Sequence, residues 1–188
     1  MNRKSITDSP EAVKFMQQFK VTNVVAGRGH DCGGLICYLK KGSKTLVDFH
    51  DDGWGGEPEI RFENDEAEQL LRDKLTEFNF AQHLFDNGWE FMKSPDRIDF
   101  LTQVECLISG LVNLKEKEKT LRRQEKKGIY IQEPDGKRST IYWKGWNIAK
   151  MKQHPSGNAT IRQKVLQLQS EGNKILNTNL DDVVAFLK

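Results

Sequence analysis

The sequence predicts an α+β fold, with an antiparallel β-meander flanked by helices and then a smaller module of a basic β-hairpin plus helices. Three observations carry this expectation. Short alternating runs rich in Val, Ile, Leu, Tyr and Phe between residues 21 and 62 are separated by glycine-bearing turns, as antiparallel strands require. Longer stretches with apolar residues three and four apart lie on both sides of them, as amphipathic helices require. The charge then changes sign: residues 1–113 carry thirteen Lys/Arg against nineteen Asp/Glu, a net of −6, and residues 114–188 carry sixteen against eight, a net of +8.

The elements follow in order. Ser9-Pro10-Glu11 opens a helix with Ser9 as cap and Pro10 in the first turn, where its missing N–H costs nothing, and Val13, Phe15, Met16 and Phe19 carry it to about Lys20. Residues 21–26 read as a strand, and 27–34 as a loop because half of its positions are glycine. Strands over 35–40 and 44–50 are joined by Lys41-Gly42-Ser43, with Leu35, Cys37 and Leu39 on one face and Ile36 and Tyr38 on the other. A further strand over 59–62 completes an antiparallel meander.

Asn64 caps a helix through about Phe80 with Ala67, Leu70, Leu71, Leu75 and Phe78 at helical spacing, and residues 80–85 continue it or bend before the Asn87-Gly88 turn. Ser94-Pro95-Asp96 opens a main core helix whose stripe is Ile98, Leu101, Val104, Leu107, Ile108, Leu111 and Leu114. Residues 115–127 keep helical propensity with Leu121 as their one apolar residue, so they are solvated or bound to a partner. The domain expectation is therefore 1–114 for the helix-flanked meander and 115–188 for the basic module, or one continuous domain.

Residues 128–145 form a hairpin around Pro134-Asp135-Gly136, with Ile129, Ile131, Ile141 and Trp143 on one face and Tyr130, Gln132, Thr140 and Tyr142 on the other. Helices are expected over 146–153 and 159–170, then a short extended piece and a helix capped by Asn179.

Composition narrows the class. With 188 residues and 37% hydrophobic, the chain can bury one core or two small ones. No stretch approaches the roughly eighteen consecutive apolar residues of a spanning helix, and the first residues lack the apolar run of a secretory signal. A cytoplasmic protein without a membrane partner is expected. Cys32, Cys37 and Cys106 are an odd set without CxxC, which suits a reducing compartment and argues against a disulfide scaffold or structural zinc; no metal or other cofactor is expected.

Three constellations could carry chemistry. His30 and Cys32 in one loop, with Asp48 and His50 at the end of a strand, would serve a Cys/His nucleophile pair or an N/O/S metal site if the hairpin brought them together. The simpler reading is that glycine-rich hairpin ends collect polar residues because turns need them. Asp51, Asp52, Trp54 and Glu57 form a glycine-rich acidic loop. Nine carboxylates against Arg61 alone over 48–68 repel phosphate and would suit a basic protein partner. The basic segment 115–152 holds twelve Lys/Arg against five acids, interleaved with Tyr130, Tyr142, Trp143 and Trp146. Its phosphate contacts are assigned to Arg122, Arg123, Lys126, Lys127, Lys137 and Arg138, with Tyr130 and Tyr142 as stacking groups. Against this, the same residues make a solvated, ion-paired helix followed by a hairpin with core aromatics.

The segment YLKKGSKTLVDFHDDGWGGEPEIRF, with its lysine-glycine turn and its Asp52-Gly53-Trp54-Gly55-Gly56 loop, resembles small phage and mobile-element proteins. That resemblance covers about a seventh of the chain and implies a setting, in which binding to host machinery is favoured over catalysis. The expectation is thus a non-enzymatic intracellular binding protein, a phage-type inhibitor or accessory factor acting on a nucleic-acid-handling complex through an acidic loop and a basic hairpin. The alternatives are a small metal- or thiol-dependent enzyme using His30, Cys32, Asp48 and His50, a small-molecule binder on the Gly53–Gly56 loop, and a charge-paired homo-oligomer.

Overall fold

The structure, a computed structural model, describes residues 5–26, 34–89 and 92–180. The fold is α+β, with a four-stranded antiparallel sheet, a three-stranded sheet and several helices. The chain divides into two compact units, Met1–Lys115 and Glu116–Lys188.

In the first unit, α1 (Pro10–Met16) is capped by Ser9, whose hydroxyl accepts the Ala12 N–H at 3.3 Å. It ends a turn earlier than expected, because the Phe19 N–H bonds back to the Met16 carbonyl at 2.9 Å and the Phe19 ring turns into the core. The meander follows as β1 (Lys20–Ala26), β2 (Leu35–Lys41), β3 (Lys44–Asp51) and β4 (Glu59–Phe62), each paired antiparallel with the next. Cys37 pairs with Phe49 and Leu39 with Val47, so these four side chains share the buried face; Ile36 and His50, paired in the next row, face the other way. Gly42 takes the left-handed conformation that the tight β2–β3 turn demands, at φ +61°.

Helix α2 (Asp65–Phe78) starts at Asn64, whose side-chain oxygen accepts the Ala67 N–H at 2.8 Å, and buries Ala67, Leu71 and Leu75. Asn79 at φ +55° stops it before Phe80 and redirects the chain into α3 (Phe80–Leu84). This bend lays Phe78 flat on Phe15 at 4.2 Å between ring centres and drops Phe80 into the same cluster. Ser94 caps only a short 3-10 turn, Pro95–Arg97, and the long helix α4 (Phe100–Lys127) begins later, where Asp99 accepts the Thr102 N–H at 2.8 Å. Leu101, in the first turn of α4, is 51% exposed and departs from the expected buried stripe, while Val104, Leu107, Ile108 and Leu111 remain buried. At Gly110 the helix passes so close to α1 that an added Cβ would lie 2.8 Å from the Met16 sulfur.

The second unit begins inside α4. Strands β5 (Ile129–Gln132) and β6 (Arg138–Ile141) form the hairpin, and β7 (Lys174–Ile175) pairs with the other edge of β5, giving the order β6-β5-β7. The hairpin turn is closed by the Glu133 N–H to the Lys137 carbonyl at 2.8 Å and by the Asp135 carboxylate accepting the Lys137 N–H at 2.9 Å. Helices α5 (Ile148–Gln153) and α6 (Gly157–Ser170) complete a separate core of Ile129, Ile131, Ile148, Met151, Ile161 and Val165. Both start away from the expected positions. Asn147 caps α5, leaving Trp146 in the preceding turn, and α6 begins at Gly157, where a Cβ would stand 1.5 Å from the Met151 carbonyl oxygen. Glu125 is buried, and its carboxylate accepts the Thr178 N–H. Asn177 accepts the Tyr130 N–H at 2.7 Å, which fastens the segment after β7 along β5. The helix expected after Asn179 lies outside the described residues.

Candidate nucleic-acid interface

The pairing of β5 with β6 determines where the basic and aromatic side chains meet. Helix α4 ends at Lys127, β5 begins at Ile129, and Ile141 pairs with Ile129. The hairpin therefore carries Tyr142 and the residues after it back beside the last turn of α4. Trp143-Lys144-Gly145-Trp146 then closes a tight turn, with the Trp146 N–H bonded to the Trp143 carbonyl at 3.0 Å and Gly145 at φ +79°, the conformation that a type II turn asks of its third residue.

The result is a groove of about 810 Å³ within the second unit. Lys126 and Lys127 line it from the helix, and Tyr142, Trp143, Lys144 and Trp146 line it from the strand end and turn. Tyr142 is 71% exposed and Trp146 44% exposed, whereas Trp143 is half-buried and packs against the core. The Trp146 ring is braced edge-on by His154, 5.5 Å away between ring centres, and His154 is in turn hydrogen-bonded to the Ser156 hydroxyl at 2.9 Å. Gln124, Thr140 and Asn147 supply the polar lining. Two flat faces held open beside three ammonium groups can stack unpaired bases and neutralise phosphates.

Of the residues assigned from sequence, the groove brings together Lys126, Lys127 and Tyr142. Arg122 is exposed on α4 but tied to Glu118 at 2.5 Å, and Arg123 is exposed without lining the groove. Lys137 and Arg138 sit at the turn end of the hairpin, where Arg138 pairs with Gln132. Three residue steps of strand, about 10 Å, separate that end from the Ile129–Ile141 pair. Tyr130 is half-buried on β5. Lys144, Trp146, Gln124 and Asn147 belong to the groove without having been assigned to it. Asn147 as a helix cap, with Gly145 two residues before it, is the signal that separates Trp146 from the helix.

The acidic loop keeps its expected place between β3 and β4. The Asp51 carboxylate accepts the Gly53 N–H at 2.8 Å and that of Asp52 the Trp54 N–H at 2.9 Å, so both aspartates shape the turn. The Trp54 side chain is 64% exposed, and Glu57 is exposed. Arg61 is paired with Glu59 at 2.6 Å. Glu105 on α4 has its carboxyl raised above the usual range by burial first and by the charges of Asp51 and Asp99 next.

Asp48 and His50 lie on the meander face opposite the buried Val47 and Phe49. His30 and Cys32 lie outside the described residues. Among the described residues no group of three or more His, Cys, Asp and Glu side chains is arranged to hold a metal ion, and no helix is long and apolar enough to cross a membrane.

Burial pushes the Cys37 thiol up to about 11, with Asp48 adding to the shift and Lys115 opposing it, and pushes Cys106 up to about 12, helped by Glu105. Both thiols therefore hold their protons in the folded state well above the ordinary value of 9.0. Their contribution to stability is complete below pH 9 and is lost as pH rises from there toward 11, because only the unfolded chain ionises readily in that interval. Iodoacetamide at pH 8 is expected to label Cys37 and Cys106 in denaturant and to spare both in the native protein, as read by peptide mass mapping. Native labelling of either would contradict the burial argument.

No protein-family model matches this chain, and no curated protein or solved structure does so either.

Proposed function

We propose that this chain is a non-enzymatic binding protein that takes single-stranded nucleic acid into the groove of its second unit. The supporting observation is the meeting of Lys126, Lys127 and Lys144 with the exposed rings of Tyr142 and Trp146 in one open site. Ammonium groups alone would suit any polyanion. Rings that stand out beside them favour a strand whose bases are unpaired and free to stack. A cytoplasmic accessory or inhibitory factor of the phage type, acting on a nucleic-acid-handling complex, is the setting this reading fits. The acidic loop is then the contact for a basic protein partner, a role favoured by the exposed Trp54 standing between Asp52 and Glu57, both exposed as well.

The test is a salt series of fluorescence anisotropy with labelled single- and double-stranded oligonucleotides. If the three groove lysines each neutralise a phosphate, the logarithm of the association constant falls with log salt at a slope of about −2 for single strands. The double variant Lys126→Glu/Lys144→Glu is expected to flatten the slope and weaken binding uniformly across sequences. Absence of binding at low salt, or a slope that the variant leaves unchanged, would refute this assignment.

A further inference from the structure

Residues 51–57, in the connection from β3 to β4, hold three carboxylates and no Lys or Arg, set around one indole. The Asp51 and Asp52 carboxylates accept the Gly53 N–H at 2.8 Å and the Trp54 N–H at 2.9 Å, so the loop is shaped before any partner arrives. Gly53 at φ +74° and Gly55 at φ +85° take the left-handed conformation on either side of Trp54. A Cβ added at Gly55 or Gly56 would meet nothing within 4 Å among the described residues, so this part of the loop stands clear of its surroundings. Trp54 itself is 64% exposed between the exposed Asp52 and Glu57. The loop is a pre-shaped projection that carries a flat ring between negative charges.

The groove of the second unit has the inverse of each feature. It is concave, its Lys126, Lys127 and Lys144 ammoniums suit carboxylates, and the exposed rings of Tyr142 and Trp146 suit an indole. Flat rings beside negative charge are what a single strand presents to such a site, and the loop presents the same pair. The charge of the chain acts in the same sense: residues 1–113 carry −6 and residues 114–188 carry +8, so two copies attract each other through unlike parts. A projecting tryptophan received by a concave site is also the commonest kind of interface anchor. Resting on the single-strand reading of the groove, we infer that the Trp54 loop of one copy occupies the groove of a second copy, where it competes with the strand. The second copy is then the basic partner of the acidic loop. The contact joins unlike surfaces, so a pair keeps one loop and one groove open, and association extends beyond the pair or closes as a ring.

The experiment measures the mass of the nuclease-treated full chain by light scattering, at low salt and at about 1 M, where the screening length falls to about 3 Å. Monomers of 21.6 kDa at high salt and multiples of that mass at low salt are expected. The variant Trp54→Ala/Glu57→Lys, which keeps both turn-shaping aspartates, and the variant Lys126→Glu/Lys144→Glu are each expected to be monomeric at low salt. Mixed in equal amounts, they are expected to form a pair of twice the monomer mass and nothing larger, because one supplies an intact groove and the other an intact loop. Restored pairing shows at once that both variants are folded. A short thymidine oligonucleotide in excess is expected to return the wild-type assemblies to single chains. A wild-type protein that stays monomeric at low salt would overturn the inference, while anisotropy decides the strand reading separately. Assemblies that persist in Trp54→Ala/Glu57→Lys, or a mixture that stays monomeric, would overturn the loop as the occupant of the groove. Wild-type assemblies and a restored pair in a protein that binds no oligonucleotide would overturn the competition and the strand reading, and leave the contact between copies standing.

Discussion

Replacing Tyr142 and Trp146 together by alanine is expected to lower the affinity for a single-stranded oligonucleotide by about 2–6 kcal/mol, since each base stacked on a ring contributes about 1–3 kcal/mol. The effect should come without a comparable loss of stability. Tyr142 is 71% exposed and Trp146 44% exposed, so truncation uncovers little core, and the core contact of this turn belongs to Trp143. Anisotropy titration with the wild-type oligonucleotide set measures the affinity, and a denaturant melt of the same preparation measures the stability. An affinity unchanged by the double truncation would remove the rings from the site and reduce the groove to a patch of positive charge. Loss of binding together with loss of folding would be read instead from the single variant Tyr142→Ala, whose ring is the more exposed of the two.

The second large effect is expected at Gly128, which joins α4 to β5. A Cβ there would stand 2.0 Å from the Ile141 carbonyl oxygen and 2.9 Å from its carbon, far inside van der Waals contact and against backbone that cannot step aside. Gly128→Ala must therefore push the end of β6 away from the end of α4. An overpacked site of this kind costs about 1–3 kcal/mol, so a denaturant melt should show the loss directly. The same displacement spreads the two walls of the groove, Lys126 and Lys127 on one side and Tyr142 to Trp146 on the other. Oligonucleotide affinity should fall with stability, although no groove side chain has been altered. A variant as stable as wild type would show that the close approach of helix and strand is not required.

Local chemistry made most of the elements legible. The meander follows from period-two alternation between glycine turns, and Cys37 and Leu39 lie on the buried face where that alternation puts them. Ser9 and Asn64 cap the helices they were expected to cap, because a side-chain oxygen one residue before an amphipathic run has amide donors within reach whatever the tertiary fold. Boundaries were less legible. Asn79 in the left-handed conformation, Asp99 opening the long helix where Ser94 was expected to, and Asn147 capping α5 where Trp146 was expected to begin it each move an element's end from its expected place. Packing of Phe78, Phe80 and Ile98 accompanies the first two of them.

The sequence by itself determined the α+β class, the strand and helix alternation, the reversal of charge after residue 113 and the concentration of rings among the basic residues, since composition and periodicity are properties of the chain alone. Only the tertiary structure decided which cations stand with which rings. The register Ile129↔Ile141 returns Tyr142 and Lys144 to Lys126 and Lys127 and leaves Arg138 at the far end of the hairpin. It also decided that the Gln124 side-chain oxygen is consumed by the Thr140 hydroxyl, 16 residues along the chain. Those partnerships depend on distances through space, and a linear pattern of residue types carries no record of them.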